Sequence, residues 1–277
     1  MDAHLGCQGR KDICYNNGFR GYFAIHPPGG LELLKHYPIG GLSEYVVSPD
    51  TNIAVLPSSI DTALASRFGY IGTSFGGLKK AQMGPGKTLL INGVTGTLGY
   101  AAVAIALGLG CTKVLGIGRN KARLAEVEKL SSNGRVVVRS SEDEGDIVSW
   151  VKEQTNGVGP DALYDCLGVG GDANGTSKLI AAVKQGGRAI LAAGGAEGDI
   201  TQSYSEAMDH DVAILGTVWF NSAEVDELIA LVDAGVIDLS FVKHQFFPLE
   251  EVNDAFKVVS DRPGGAVNIV VQPGVHK

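Results

Sequence analysis

Leu90-Ile91-Asn92-Gly93-Val94-Thr95-Gly96-Thr97-Leu98-Gly99 joins an apolar run to three glycines spaced by three and then to an Ala- and Leu-rich stretch ending near Leu109. Thr88–Asn92 predicts a strand, and the stretch after Gly96 predicts a helix. Glycine spacing alone says little in a chain with 39 glycines. The order strand, glycine turn, helix is what carries meaning. Gly93 permits a tight turn out of the strand, and Gly96 lets the backbone come close to a pyrophosphate. Gly99, with Ala101 and Ala102, lets the helix lie close on the sheet. The unpaired N–H groups and positive dipole end of that helix are then available to a diphosphate. Gly93, Thr95, Gly96, Thr97, Leu98 and Gly99 are therefore expected to bind a dinucleotide.

Outward from this turn the pattern is regular. Strands are expected at Lys113–Ile117, Arg135–Val138, Ala162–Asp165, Arg188–Ala192 and Val212–Leu215. Helices are expected at Asn120–Leu130, near Ile147–Gln154 and at Ser177–Lys184. Such alternation builds βαβ units and an α/β fold: a doubly wound parallel sheet of the Rossmann type. Residues 1–57 read differently. Glycine, proline and tyrosine punctuate them, with clear strand signals at Ser43–Val47 and Ile53–Leu56. The tail changes again, with helical periodicity over Ser222–Ala234, a strand at Phe241–Phe247, an amphipathic helix over Leu249–Val259 and a strand at Ala266–Val271. It is expected to leave the parallel sheet and pack against residues 1–57.

The second strand selects the nucleotide. An NAD-type site carries an acid there, accepting from the ribose hydroxyls. Val114–Ile117 instead runs into Gly118-Arg119-Asn120-Lys121-Ala122-Arg123. Arg119 offers a planar fork of donors suited to a 2′-phosphate, and cations are disfavoured at a helix N-terminus without an anion to hold. Gly118, Arg119, Asn120 and Arg123 join the expected site, and NADP(H) is the expected cofactor. Nearby, Ala81–Thr88 loosely matches a P-loop. Its Gly86-Lys87-Thr88 enters a strand rather than a helix, so the match is accidental.

Composition bounds the rest. A net charge of −7 and a pI near 5.4 argue against nucleic-acid binding. Ala101–Leu109 is about half the length of a membrane span. The N-terminus does not read as a signal peptide, and four scattered cysteines form no disulfide framework, so a cytoplasmic protein is expected. The six histidines show no paired spacing, no Gly-x-Ser-x-Gly elbow occurs, and no metal is expected. Asp165 reads as a turn cap and Cys166 as packing. Trp219 and Phe220 are placed to wall a cleft or to pack in the core, and Tyr70 to pack or to donate a proton.

Several segments together resemble the medium-chain dehydrogenase/reductases, which include zinc alcohol dehydrogenases and quinone reductases. Gly40–Val47 (GGLSEYVV) is similar to the family's Gly-Gly-Phe/Tyr-Ala-Glu-Tyr-Val, and Ile71–Ala81 to the helix entering the cofactor domain. Asp161–Gly168 and Gly187–Gly194 resemble the fourth and fifth Rossmann strands, adding Gly168 and Gly194 to the cofactor set. Gly264–Val271 resembles the closing strand.

The resemblance implies a Rossmann NADP-binding domain over residues 58–221. It sits within an incomplete GroES-like domain formed by residues 1–57 and the returning segment 222–277. It also implies hydride transfer to or from a small-molecule carbonyl, alcohol or enone, and leaves a homo-oligomer open. Departures matter too. Cys7–Cys14 looks like the end of the structural-zinc lobe without its first two cysteines, as if the chain were shortened at its front. No Gly-His-Glu ligand motif occurs, and the third catalytic ligand position falls at Gly69 or Tyr70. Zinc-independent chemistry is therefore expected. The alternative is a degenerate nucleotide-binding module without catalysis.

Overall fold

The computed structural model describes residues 35–50 and 53–274. In chain order the first elements are α1 (Thr62–Ala65), α2 (Phe68–Lys80), β1 (Thr88–Asn92), α3 (Thr97–Gly108), β2 (Lys113–Gly118), α4 (Lys121–Glu128) and β3 (Val136–Ser140). There follow α5 (Ile147–Gln154), β4 (Ala162–Asp165), β5 (Gly171–Asp172), α6 (Ala173–Ala182), β6 (Arg188–Leu191), β7 (Ala196–Glu197), α7 (Tyr204–His210) and β8 (Ala213–Gly216). The tail holds α8 (Ser222–Asp233), β9 (Lys243–Pro248), a 3-10 turn (Leu249–Glu251), α9 (Val252–Ser260) and β10 (Val267–Gln272).

Six strands form one parallel sheet in the order β3-β2-β1-β4-β6-β8. The alternation within β1 shows why both faces are covered. Leu89 and Ile91 pack with Phe75, Leu78 and Ile105 from α2 and α3. Leu90 points the other way, to Val151 of α5 and Leu179 and Ile180 of α6. Each such side chain, taken fully out of water, contributes about 1.5–3 kcal/mol. A parallel sheet sandwiched this way needs near-continuous apolar strands, and Leu-Leu-Ile supplies one.

The glycines of α2 explain how a poor helix former is held in a helix. A Cβ on Gly77 would stand 2.7 Å from the Tyr164 ring, and one on Gly72 would stand 2.6 Å from Phe220. The rings occupy that room, and burial outweighs propensity. The Tyr164 hydroxyl donates to Ser74 Oγ at 3.2 Å.

Two expectations are corrected. Ser43–Val47 and Ile53–Leu56 are not strands. Tyr45 and Val55 are each 87% exposed, and among the described residues no ladder takes these segments up. The helix expected at Ser177–Lys184 instead starts at Ala173 and ends at Ala182, because Asp172 caps it by accepting from Asn174 N. The tail leaves the main sheet as expected. Parallel β9 and β10 form a separate pair. Asn268 Nδ2 donates to Ala63 O at 2.8 Å and to Ser66 Oγ at 3.2 Å, tying β10 to α1, and Phe241 lies 5.0 Å from the Tyr100 ring of α3. These described contacts reach α1 and α3, and residues 1–34 lie outside the described residues.

Candidate nucleotide-binding site

Strand order reverses between β1 and β4, and ligands of open parallel sheets bind beyond the carboxyl ends of strands at such a point. A cleft of about 960 Å³ lies there. Its walls are the turn after β1, the end of β2, the Cys166–Asp172 loop and the tail segment Arg262–Gly264.

The turn is shaped by its glycines in three different ways. Gly93 has φ +89°, a conformation L side chains rarely adopt, and its N–H donates to Ile117 O at 3.0 Å. Gly96 is ordinary extended backbone at φ −82°, and a Cβ there would meet nothing nearer than Gly93 O at 3.4 Å. Space, not backbone strain, is what a side chain at Gly96 would use. A Cβ on Gly99 would stand 2.4 Å from Gly93 O and 2.5 Å from Val94 Cα. Gly99 therefore seats α3 on the turn itself, rather than on the sheet as expected. Gly96 has no side chain to cap α3, so the first-turn amides have neither a capping nor an intrahelical acceptor.

Of the expected binding residues, Gly93, Thr95, Gly96, Thr97, Gly118, Arg119, Arg123 and Gly168 line the cleft. Leu98, Gly99, Asn120 and Gly194 do not. Leu98, the second residue of α3, has its carbonyl accepting from Ser74 Oγ at 2.9 Å, and it packs against the core. Asn120 Oδ1 accepts from Arg123 N at 3.0 Å and caps α4. Gly194, at φ +61°, lies in the loop after β6 and away from the wall. Nearness in sequence to a turn does not decide which way a residue faces. Among the cations after β2, Lys121 pairs with Asp143 at 2.7 Å, and Arg123 Nη2 donates to Arg262 O at 2.8 Å. Arg119 lines the cleft and is exposed.

The cleft also holds residues that periodicity and motif did not reveal. Arg67, Ser141, Lys178, Val169 and Arg262 line it from five separate segments. Arg67 Nη2 donates to Thr97 Oγ1 at 2.9 Å, and its guanidinium carbon lies 5.4 Å from the Tyr70 ring centre. Burial disfavours the Arg67 cation and pulls its pKa below the ordinary guanidinium value, with Tyr70 opposing the shift. Arg262 Nη1 donates to Val169 O at 3.2 Å, and Gly265 N donates to Thr95 O at 3.0 Å, so the tail is tied to two walls. A charged residue inside an apolar helix start, as at Arg67, was the available signal.

Asp165 is buried and accepts from Asn92 Nδ2 at 2.9 Å, Thr176 Oγ1 at 2.7 Å and Leu167 N at 3.2 Å, so it caps the turn and also joins three elements. Cys166 donates to Asn92 O at 3.1 Å, and burial raises its thiol pKa well above the ordinary value. Phe220 fits against Gly72, so it packs on α2, and Trp219 lies 3.9 Å from where a Gly69 Cβ would be. Gly86 and Lys87 lead into β1, whose first residue is Thr88, and Lys87 Nζ donates to Gln82 O at 2.6 Å, so the P-loop match is accidental.

Among the described residues, no three His, Cys, Asp or Glu side chains converge to hold a metal, and Gly69 and Tyr70 lie within α2. Cys7 and Cys14 lie outside the described residues. No described helix is long and apolar enough to cross a membrane.

Comparison with known proteins places this geometry. The family model described as zinc-binding dehydrogenase matches residues 97–234. A quinone oxidoreductase-like protein 2 homolog of Nematostella vectensis is 27% identical over 235 residues, covering 80% of this chain and 61% of that protein. An NADP-dependent isopropanol dehydrogenase of Entamoeba histolytica is 27% identical over 265 residues, covering 91% of this chain and 69% of that one. The chain thus spans about two thirds of the length of these relatives. The solved alcohol dehydrogenase of Thermus sp. ATN1 shares the fold, with TM-score 0.78 at 23% identity over 97% of this chain and 75% of that one. The family model, the relatives and the shared fold all point to the zinc-type alcohol dehydrogenases and quinone oxidoreductase-like proteins of the medium-chain dehydrogenase/reductase superfamily, which this chain resembles.

Proposed function

We propose that this chain binds NADP(H) in the cleft and transfers a hydride to or from a small or medium-sized carbonyl, alcohol or enone, without zinc. One observation carries the cofactor reading. One cleft is lined by Arg119, in the place of an acid, by Gly96 of the turn after β1, and by Arg67 and Tyr70. The residues fit the group: Gly96 leaves room beside the turn, the first-turn amides of α3 have no side-chain cap, and cations line the wall.

On this reading Arg119, supported by Arg123, holds the 2′-phosphate. The α3 amides hold the diphosphate, and the Cys166–Val169 loop borders the nicotinamide. Bound NADPH supplies the hydride. The chain supplies position, and Tyr70 brings an O–H to the lining of the same cleft. The described side chains do not fit a catalytic zinc, and Gly69 and Tyr70 stand where the resemblance puts its third ligand, so no step is routed through a metal. The same reading assigns the nucleotide to residues 58–221 and the substrate side to residues 1–57 with 222–277.

Loss of NADPH absorbance across a panel of carbonyls, enones and quinones tests it. Turnover on enones or quinones above simple alcohols is expected. Tight NADPH binding without turnover on any of them would favour a nucleotide-binding module without catalysis.

A further inference from the structure

Arg67 stands in an environment that should repel it. It sits at the start of α2, largely out of water, and desolvation destabilises its charged form. Its side chain reaches Thr97, the first residue of α3, so the cation lies at the positive end of a twelve-residue helix. Among the described residues no carboxylate pairs with it. Its partners are the Thr97 hydroxyl and the face of Tyr70. Two positive ends brought together and partly dehydrated are tolerated when an anion lies between them.

We propose that Arg67 is a charged anchor for the cofactor diphosphate, gripping the phosphate on the nicotinamide side. The proposal rests on the NADP(H) reading. Arg119 follows β2, the sheet neighbour of β1, whereas Arg67 is bonded to Thr97 after the turn that follows β1 and lies against Tyr70, so Arg67 is assigned the phosphate farther from Arg119. A planar fork can keep the Thr97 hydroxyl on one N–H and place others on a phosphate oxygen. The glycine turn then supplies dipoles and Arg67 the formal charge.

Arg67→Met and Arg67→Gln test this with NADPH, ADP-ribose and AMP as titrants, together with melts of the unliganded proteins. NADPH and ADP-ribose carry both phosphates and should weaken at least about tenfold, as for loss of a charge-assisted hydrogen bond. AMP, with the adenosine-side phosphate alone, should bind within about twofold of wild type. The melting temperature of unliganded Arg67→Met should hold or rise, because an uncompensated buried cation has been removed. A structural arginine would lower it in both variants. Unchanged ADP-ribose affinity in either folded variant overturns the proposal, as does an equal loss on AMP. If wild type binds none of the three ligands, the NADP(H) reading itself has failed, which is a distinct result.

Discussion

Gly96 and Gly99 are three residues apart in one motif, yet substitution should separate binding from stability. An alanine Cβ at Gly99 would stand 2.4 Å from a backbone carbonyl and 2.5 Å from a backbone Cα. Neither atom can swing away like a side-chain tip, so α3 must move by roughly 1 Å to restore van der Waals contact. Overpacking of this kind costs about 1–3 kcal/mol, offset by up to about 1 kcal/mol of improved helix propensity. A net loss near 1–2 kcal/mol lowers the melting temperature by about 2–8 °C in a chain this size. At Gly96 the nearest atom would be 3.4 Å away, and φ −82° suits any residue. Gly96→Ala should therefore cost at most about 1 kcal/mol through the weaker N-cap. The added methyl would instead take the room of the diphosphate, weakening NADPH at least about tenfold, or about 1.4 kcal/mol. Thermal melts and NADPH fluorescence titrations on both variants decide it. Wild-type NADPH affinity in folded Gly96→Ala would refute the placement of the diphosphate. An unchanged melt for Gly99→Ala would refute the seating of α3 on the turn.

Arg119→Asp should weaken NADPH at least about tenfold while NADH holds or improves, as expected from losing about 1.5–3 kcal/mol of charge-assisted bonding. Parallel titrations measure it, and unchanged NADPH affinity would sink the 2′-phosphate assignment. Elemental analysis after dialysis should find no stoichiometric zinc, and one zinc per chain would replace the zinc-independent reading with a metal-dependent one. Gly77→Ala sets a methyl 2.7 Å from the Tyr164 ring and should cost about 1–3 kcal/mol in a denaturant melt. A stability equal to wild type would show that this ring is free to move.

Legibility followed the range of the interactions. Thr88–Asn92 was readable to the residue, because strand, turn and helix signals are all local. The start of α6 was not, since Gly170-Gly171-Asp172-Ala173-Asn174 reads as loop until Asp172 is seen capping Asn174. The extended signals near Tyr45 and Val55 are real alternations, but a strand needs a ladder partner and local pattern cannot supply one. The cleft divides the same way. Gly93 to Thr97 and Arg119 lie within about thirty residues of each other and carry motif spacing. Arg67 and Arg262 reach the cleft from α2 and from the tail, and only the winding of the chain brings them together.

The acidity of the chain and the anionic ligand proposed for it are compatible for a local reason. At physiological ionic strength charges separated by more than about 8 Å are largely screened, so a net charge of −7 says little about one cleft. Five cations line the wall: Arg67, Arg119, Arg123, Lys178 and Arg262. The two carboxylates there, Asp146 and Asp172, are helix N-caps whose oxygens already accept backbone N–H groups of Ser149 and Asn174. The Ser149 hydroxyl, at 2.8 Å, and then the Ser149 backbone N–H hold the Asp146 carboxyl below its ordinary pKa, so its charge is engaged at the start of α5. The acids thus serve helix starts, while the N-terminus of α3 is left uncapped beside an arginine. That inversion, rather than the overall charge, is what fits the cleft to a diphosphate.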